Sequence, residues 1–106
     1  MNDRLLGMLG LAVRAGKVSF GVFMTEKALD EGRAHLVIAS EDIGASNRRR
    51  IESRCSEYGV QLIFYSDTAS LSRAAGKKNM PVAAVCDEGF AKAIVKKYTE
   101  LKSDIL

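Results

Sequence analysis

The chain has 106 residues, of which 47% are hydrophobic and 27% are charged. This length suits one domain and is too short for two, and the composition is that of a globular protein rather than a disordered one. The formal net charge of +3 is compatible with a polyanionic partner, but a charge of this size is also common in proteins without such a partner.

The cysteine and histidine content argues against a metal centre. Cys55 and Cys86 lie far apart in the chain, and the sequence contains one histidine. This inventory cannot build a zinc site and implies no disulfide framework, so we expect two free thiols in a reduced, cytoplasmic protein. The apolar stretch Leu5–Val13 is too short to cross a membrane, and its two glycines argue against a signal peptide.

The first predicted element is a helix over residues 2–14, because its apolar residues recur at helical spacing. These residues are Leu5, Met8, Leu9 and Ala12. Gly7 and Gly10 cost this helix about 1 kcal/mol each relative to alanine. Glycines in such positions usually permit the close approach of a neighbouring element, so we expect one to pack there.

A strand and a second helix are predicted between Arg14 and Gly32. The strand covers Lys17–Phe20, Gly21 is the hinge, and Gly32 closes the helix. Glycine is favoured just beyond a helix end because it adopts the left-handed conformation without steric penalty.

The second predicted helix has one inward and one outward face when successive residues are turned by about 100°. The inward face carries Val22, Thr25 and Leu29, with Ala28 at its margin. Phe23, Met24 and Lys27 project from the other side, which suggests a binding surface at the helix start. Periodicity alone leaves an alternative open, in which Phe23 and Met24 are core residues of a helix that is rotated differently.

The apolar run from His35 to Ser40 predicts a strand that is buried on both faces. Alternate residues of Leu36–Ala39 should then lie on opposite faces of the sheet. The loop at residues 41–44, which begins with Glu41, leaves the carboxyl end of this strand. Such loops commonly carry ligand contacts in α/β proteins.

A third helix is predicted to begin at Ser46 or Asn47, either of which can cap it, and to end at Gly59. Its predicted buried stripe is Ile51, Cys55 and Tyr58. Its four arginines are Arg48, Arg49, Arg50 and Arg54. A run of arginines invites a nucleic-acid interpretation, but their angular scatter and the nearby glutamates favour a solvated face.

The remainder of the chain continues the alternation of strands and helices. A strand at residues 61–65 precedes a short helix that Ser66 or Asp67 caps and Gly76 ends. After the basic loop Lys77–Met80, Pro81 opens a last strand at residues 82–86, and a final helix follows it. Asp87 is the expected cap of that helix, with Phe90, Ile94, Tyr98 and Leu101 as its inward stripe.

This order of elements predicts an α/β fold in a single domain over residues 1–106. Strict alternation with right-handed crossovers places helices on both faces of the sheet. We therefore expect a three-layer α/β/α sandwich around a small, four-stranded mixed sheet.

The sequence contains no motif that specifies catalysis. It has no nucleophile elbow, glycine-rich phosphate loop or metal-ligand cluster. Glu41 and Asp42 are adjacent carboxylates, which are more often exposed turn residues than an acid–base pair. His35 has no evident catalytic partner near it in sequence, so we interpret it as a core or edge residue. We expect no catalytic residue, cofactor, metal or small-molecule substrate.

Several segments, taken in order, resemble a known family. They are Leu9–Lys17 (Leu-Gly-Leu-Ala-Val-Arg-Ala-Gly-Lys), Gly21, Lys27–Leu29, Leu36–Ala39, Ala74–Gly76 and Asp87–Ala91. Their order and spacing resemble those of bacterial stand-alone members of the L-seven-Ae group of kink-turn RNA-binding ribosomal proteins. The resemblance covers nearly the whole chain, and it implies the α/β/α fold and an RNA partner.

The resemblance also implies where RNA would bind. The family grips RNA with the start of the second helix, through a Gly-x-Asn-Glu-x-x-Lys pattern, and with the loop before the last strand. Gly21 and Lys27 match the first and last positions, whereas Phe23 and Met24 stand at the Asn and Glu positions. These two side chains cannot accept hydrogen bonds from the guanines of sheared G·A pairs, but phenylalanine can stack on an unpaired base.

On this basis we expect a non-catalytic protein that binds structured, kink-turn-like RNA in association with the ribosome, without a membrane partner. The expected RNA-binding residues are Lys17, Gly21, Val22, Phe23, Met24, Lys27, Glu41, Lys77, Lys78, Asn79 and Met80. The loop Lys77–Met80 should lie beside the start of the second helix. The alternative is a protein-interaction module on the same scaffold, with Phe23 and Met24 as its apolar anchor.

Overall fold

A computed structural model of the chain describes residues 3–103, and the predicted alternation of helices and strands is confirmed. The elements are α1 (Arg4–Arg14), β1 (Val18–Phe20), α2 (Gly21–Asp30), β2 (Leu36–Ala39), α3 (Ala45–Tyr58), β3 (Leu62–Phe64), α4 (Thr68–Ala75), β4 (Val82–Val85) and α5 (Glu88–Ser103). Residue 2 of the first predicted helix lies outside the described residues. None of the helices within residues 3–103 combines the length and apolarity that a membrane span needs.

The four strands form one mixed sheet in the order β1-β4-β2-β3. Strand β4 is antiparallel to both β1 and β2, whereas β2 is parallel to β3. The strands β1, β2 and β3 therefore have their carboxyl ends at the same end of the sheet, where β4 begins. We call this the Phe20 end of the sheet, after the last residue of β1, and the opposite end the Lys17 end.

Helices cover both faces of the sheet, as the doubly apolar β2 predicted. Leu36 and Ile38 pack on one face with residues of α1, α4 and α5. Val37 and Ala39 pack on the other face with residues of α2 and α3. All four side chains of β2 are fully buried, because this strand has a neighbour on each side and a helical layer above and below.

Glycines in α1 have different roles. A Cβ atom added at Gly10 would lie 3.2 Å from the carbonyl oxygen of Ala74, so α4 approaches α1 closely there, as expected. A Cβ atom at Gly7 would meet no atom within 4 Å, so the same expectation is wrong for Gly7.

The caps of α4 and α5 follow the prediction, and that of α3 does not. Asp67 accepts a hydrogen bond from the Ser70 amide, and Asp87 accepts one from the Phe90 amide. Ser46 and Asn47 lie inside α3, because the helix begins at Ala45. Gly44, in an extended conformation, is its N-cap residue. The Gly44 carbonyl accepts the first helical hydrogen bond from the Arg48 amide at 2.8 Å.

Tyr58 is 41% exposed, so its prediction as a buried residue of α3 is wrong. Its hydroxyl donates a 2.6 Å hydrogen bond to Asp30 on α2, which holds the ring at the surface of the α2–α3 contact. Cys55, one turn earlier, is buried, and both cysteines are free, as predicted.

Three of the four arginines of α3 are engaged by neighbouring side chains. Arg50 donates two hydrogen bonds to Glu26, at 2.7 and 2.5 Å, and Arg54 donates one to Asp30 at 2.5 Å. Arg48 lies over the Phe64 ring, with its guanidinium carbon 4.1 Å from the ring centroid. The arginines are mostly at the surface, as expected, but two of them also clamp α3 to α2.

Candidate nucleic-acid interface

The start of α2 is half-buried at Gly21 and exposed at Phe23 and Met24. Gly21 joins β1 to α2 with φ +86°, a conformation that only glycine adopts without strain. Phe20 is the N-cap residue, and within residues 3–103 no side chain caps this helix start. The amides of the first turn therefore have no side-chain acceptor among the described residues, and they lie at the positive end of the helix dipole, where an anion is favoured.

The outward face of α2 is the one that helical periodicity predicted. Phe23 is 72% exposed and Met24 is 39% exposed, and Lys27 is exposed as well. The opposite side of the helix is in the core, where Thr25, Ala28 and Leu29 are buried and Val22 is half-buried. The alternative that placed Phe23 and Met24 in the core is therefore wrong.

The loop Lys77–Met80 lies beside the start of α2, as predicted. The Lys77 ammonium nitrogen is 4.6 Å from the centroid of the Phe20 ring, a cation–π contact that joins the loop to the N-cap residue. Asn79 has φ +50°, in the left-handed region that asparagine tolerates better than most residues. Lys77, Lys78 and Asn79 are exposed at the Phe20 end of the sheet.

Met80 differs from the rest of this loop. Its side chain is 2% exposed and packs in the core between the sheet and the layer of α1, α4 and α5. The expectation that the Met80 side chain faces a ligand is therefore wrong. The chain turns inward at Met80 because the next residues, Pro81 and Val82, lead into the buried strand β4.

A chain of hydrogen bonds ties the loops at the Phe20 end together. The Asp42 carboxylate accepts hydrogen bonds from the Thr68 amide at 2.9 Å and the Thr68 hydroxyl at 2.7 Å. The Ser72 hydroxyl, one turn further along α4, donates to the Thr68 carbonyl at 2.6 Å. The same Ser72 oxygen accepts a 2.7 Å hydrogen bond from the Met80 amide. The loop after β2, helix α4 and the loop before β4 are thereby held in one arrangement.

This network was not predicted from the sequence, because its members are separated by helical and loop segments. The hydrogen bond from the Thr68 side chain, together with that from Ser40, lowers the pKa of Asp42. An ionised carboxylate that is already occupied by two donors is suited to fixing a loop rather than to proton transfer. The interpretation of Asp42 as an exposed turn residue is confirmed.

Two expected RNA-binding residues lie away from the α2 start. Lys17 is at the Lys17 end of the sheet, where its carbonyl accepts a hydrogen bond from the Cys86 amide, about 13 Å along the strand from Gly21. Glu41 is exposed at the Phe20 end, but its amide donates to the Ser66 carbonyl, on the side of β3. The structure thus brings together Gly21, Phe23, Met24 and Lys27 with the loop, and leaves Lys17 apart from them.

His35 lies at the Lys17 end, just before β2. Its backbone amide donates to the Val85 carbonyl at 2.9 Å and the residue is exposed. From the sequence we interpret His35 as a core or an edge residue. Because it is exposed, the core interpretation is wrong, and the residue lies just before the start of β2. His35 is at the opposite end of the sheet from the start of α2, so it takes no part in this surface.

The chain is similar to known proteins over most of its length. Residues 3–95 match the sequence profile of the ribosomal protein L7Ae/L30e/S12e/Gadd45 family. A Bacillus subtilis (strain 168) protein named RNA-binding protein YlxQ is 35% identical over 88 residues, which cover 83% of this chain and 88% of that protein. The large ribosomal subunit protein eL8 of Cenarchaeum symbiosum (strain A) is 30% identical over 92 residues, covering 86% of this chain and 73% of that protein.

Two solved structures share the fold. A protein of unknown function from Bacillus halodurans C superimposes with a TM-score of 0.87 at 30% identity, covering 91% of this chain and 97% of that chain. The Giardia lamblia 15.5kD RNA binding protein superimposes with a TM-score of 0.79 at 18% identity, covering 97% of this chain and 92% of the other. At that identity the second likeness concerns the fold alone. Because the family profile spans the chain from α1 to the first half of α5, and a relative with 35% identity matches over most of both chains, this chain belongs to the ribosomal protein L7Ae/L30e/S12e/Gadd45 family.

Proposed function

We propose that this chain is a non-catalytic protein that binds structured RNA with the start of α2 and the loop Lys77–Asn79. The observation that carries the proposal is the exposed Phe23 ring beside uncapped helix amides, with Lys77 held over Phe20 next to them. An aromatic face, free amides and two neighbouring lysines are the groups that bind unpaired bases and phosphates. The names of the Bacillus subtilis and Cenarchaeum symbiosum relatives, an RNA-binding protein and a ribosomal protein, support the same assignment.

Each group at this surface has a distinct role in the proposal. Gly21, which lacks a side chain, lets an RNA backbone approach the first amides of α2. Phe23 stacks on a base that has left its helix, and Met24 packs against the edge of that base. Lys27 lies one helical turn beyond Phe23 and reaches a guanine edge or a phosphate. Lys77 and Lys78 contact phosphates from the other side.

The preferred RNA in this proposal is kink-turn-like, with unpaired bases beside the bend. The match of Gly21 and Lys27 to the family pattern favours a kink-turn, whereas Phe23 and Met24 remove the acceptors that would bind the guanines of sheared G·A pairs. Stacking therefore contributes more of the affinity, and guanine recognition less, than the family pattern implies. We place the protein in the cytoplasm, on the ribosome, and assign residues 1–106 to one RNA-binding domain.

A gel-shift titration tests this proposal with a kink-turn RNA and a control RNA in which the tandem G·A pairs are replaced by Watson–Crick pairs. We expect the kink-turn to bind more tightly, and the affinity for both RNAs to fall with rising salt. Replacement of Lys77 and Lys78 by alanine should reduce the log–log salt slope by about 0.7–0.9 for each phosphate that these lysines neutralise.

Two results would contradict the proposal. The first is failure of the protein to bind either RNA at low salt. The second is co-purification with a protein partner after nuclease treatment that depends on Phe23 and Met24. The second result would favour the protein-interaction module.

A further inference from the structure

A second cationic feature lies between α1 and α4, outside the proposed surface. The two helices border an open groove of about 680 Å³, whose lining includes Arg14 from the end of α1 and Arg73 from α4. Ser66 and Ser70 add two hydroxyl groups to the wall. Two guanidinium groups and two hydroxyls form a lining rich in hydrogen-bond donors.

The two arginines of this groove are not neutralised by any carboxylate in the part of the chain that the structure describes. Within residues 3–103, neither guanidinium lies within 4.0 Å of an aspartate or glutamate oxygen. Arg73 makes only a long, 3.4 Å hydrogen bond to the Ser70 hydroxyl. The arginines at positions 33, 48, 50 and 54, in contrast, are each paired with a carboxylate.

Asp3, the one carboxylate that the described residues contribute to the lining, is already occupied. One oxygen of Asp3 accepts the Leu6 amide at 2.9 Å as the cap of α1, and the other accepts the Tyr65 hydroxyl at 2.7 Å. Because both oxygens have donors of their own, Asp3 does not satisfy the guanidinium groups of the groove. The lining therefore keeps a net positive charge with unused donors, which favours an anion.

Glycines keep the groove open. A Cβ atom at Gly7 would project into empty space, and Gly7 lines the groove. At Gly10 the Arg14 guanidinium folds back along α1, with one terminal nitrogen 3.6 Å from the position a Cβ atom would take. A side chain at Gly7 would occupy the volume beside that guanidinium.

One end of the groove reaches the Phe20 end of the sheet. Ser66 follows β3, and its carbonyl accepts the Glu41 amide of the loop after β2. The β3 edge is three strand spacings, about 14 Å, from the β1 edge where α2 begins. A few nucleotides of one RNA strand can bridge that distance along the Phe20 end of the sheet.

We propose that Arg14 and Arg73 hold a phosphate group of the RNA backbone in the α1–α4 groove, as a second contact point beyond the α2 surface. This inference rests on the proposed RNA binding. Arginine forks match the geometry of phosphate oxygens, and hydroxyls are common additional donors to them. A contact of this kind positions the RNA without reading its sequence, so it raises affinity equally for cognate and control RNA.

The test is the salt dependence of RNA binding in the double variant Arg14→Gln, Arg73→Gln. The log–log slope should fall by about 0.7–0.9 for each phosphate that the two arginines neutralise, while the ratio of affinities for the kink-turn and its control stays unchanged. The matched control is Arg49→Gln with Lys96→Gln, which removes the same charge from exposed positions on α3 and α5. Its slope should remain close to that of the original protein.

A second variant tests the groove by its volume. Gly7→Gln adds a neutral side chain to the open floor and improves helix propensity, so folding is retained while the phosphate is displaced. We expect it to weaken RNA binding at low salt, as the double arginine variant does. Equal slopes in the double arginine variant and its control would overturn the inference, as would full affinity in Gly7→Gln.

A calorimetric titration with a mononucleotide separates the two sources of phosphate. Saturable binding that needs Arg14 and Arg73, with an unchanged RNA salt slope, would assign the groove to a free nucleotide and overturn the backbone contact. Failure of the original protein to bind any RNA would instead contradict the proposed function, so the two failures are distinguishable.

Discussion

At the scale of single residues, Phe23 combines large exposure with a position next to free amides and lysines. Its ring is 72% exposed. The other face of the same helix contributes Ala28 and Leu29 to the core between α2, α3 and the sheet. Burial of such a ring in a complex is favourable, because apolar area leaves water. The ring therefore contributes little to folding and is free to contribute to binding.

Phe23→Ala should leave the free energy of unfolding within about 0.5 kcal/mol of its original value, as is usual for surface changes. The affinity for kink-turn RNA should fall by about 1–3 kcal/mol, the usual contribution of one stacked base. Urea denaturation and gel-shift titration measure the two quantities. The matched control is Leu11→Ala, which removes an exposed apolar side chain from α1 and should change neither. Unfolding of Phe23→Ala with retained affinity would contradict this prediction.

Tyr65 makes a second prediction at this scale, through its ionisation. Burial, and then the hydrogen bond to Asp3, raise the pKa of Tyr65 from 10.0 to about 12 in the folded protein. Below pH 10 the phenol is neutral in both states, so its contribution to stability is fully present. As the pH rises from 10 towards 12, the unfolded chain ionises first and this contribution is lost.

Tyr65→Phe should therefore show a shallower loss of stability between pH 10 and 12 than the original protein, although it starts lower because the hydrogen bond to Asp3 is absent. Urea denaturation across this range measures the difference. Tyr58→Phe is the comparison variant rather than a null control, because the hydrogen bond to Asp30 also raises the pKa of Tyr58, so its loss of stability in this range should become shallower as well. Parallel stability curves for Tyr65→Phe and the original protein would show that Tyr65 does not titrate in this way.

At the scale of elements, the orientation of α2 is secured from two sides. Leu29 and its buried neighbours anchor the helix to the sheet, while Glu26 receives the two hydrogen bonds from Arg50 on α3. The Glu26 side chain is only 12% exposed, whereas Arg50 is 55% exposed, so the pair is shielded from solvent on the Glu26 side alone. The outward direction of Phe23 and Lys27 follows from this double attachment.

The loop before β4 depends on one hydroxyl group in α4. Ser72→Ala should cost about 1–3 kcal/mol of stability, because the buried Met80 amide loses its acceptor. The loop should also loosen, and RNA affinity should fall since Lys77 and Lys78 are no longer held in place. Hydrogen exchange at the Met80 amide and urea denaturation measure these effects.

The control for Ser72→Ala is Ser53→Ala, which removes an exposed hydroxyl from α3 and should leave both quantities unchanged. Retained protection of the Met80 amide in Ser72→Ala would show that another acceptor holds the loop.

At the scale of the whole molecule, stability depends on β2, which lies between β4 and β3 and is covered on both faces. Ile38→Ala should reduce the free energy of unfolding by about 2–5 kcal/mol, as for other large-to-small changes in cores. Urea denaturation measures the loss, and Leu11→Ala again provides the surface control, with a change of about 0.5 kcal/mol or less. A similarly small loss for Ile38→Ala would contradict the central place of this strand.

The features that could be predicted from sequence are those that local chemistry controls. The alternation of strands and helices follows from apolar spacing, and helix ends follow from glycines such as Gly59 and Gly76, which adopt left-handed conformations. The two-sided burial of Leu36–Ala39 follows from its lack of polar residues. Helical periodicity within ten residues indicates the outward face of α2, whereas the alternative with Phe23 and Met24 in the core is excluded by their exposure in the structure.

The position of Met80, the separation of Lys17 and the groove between α1 and α4 are decided by tertiary structure. Lys17 and Gly21 are four residues apart in sequence, yet the extended strand between them places them at opposite ends of the sheet. Met80 is apolar and follows three exposed polar residues, so only the path of the chain into β4 decides that it is buried. Asp42, Thr68 and Ser72 meet because β2 and β3 are parallel and have their carboxyl ends at the same end of the sheet. Local patterns indicate most of the residues that face inward on each element, with Tyr58 as an exception on α3. Contacts between residues distant in sequence depend instead on strand order and direction, which no local pattern encodes.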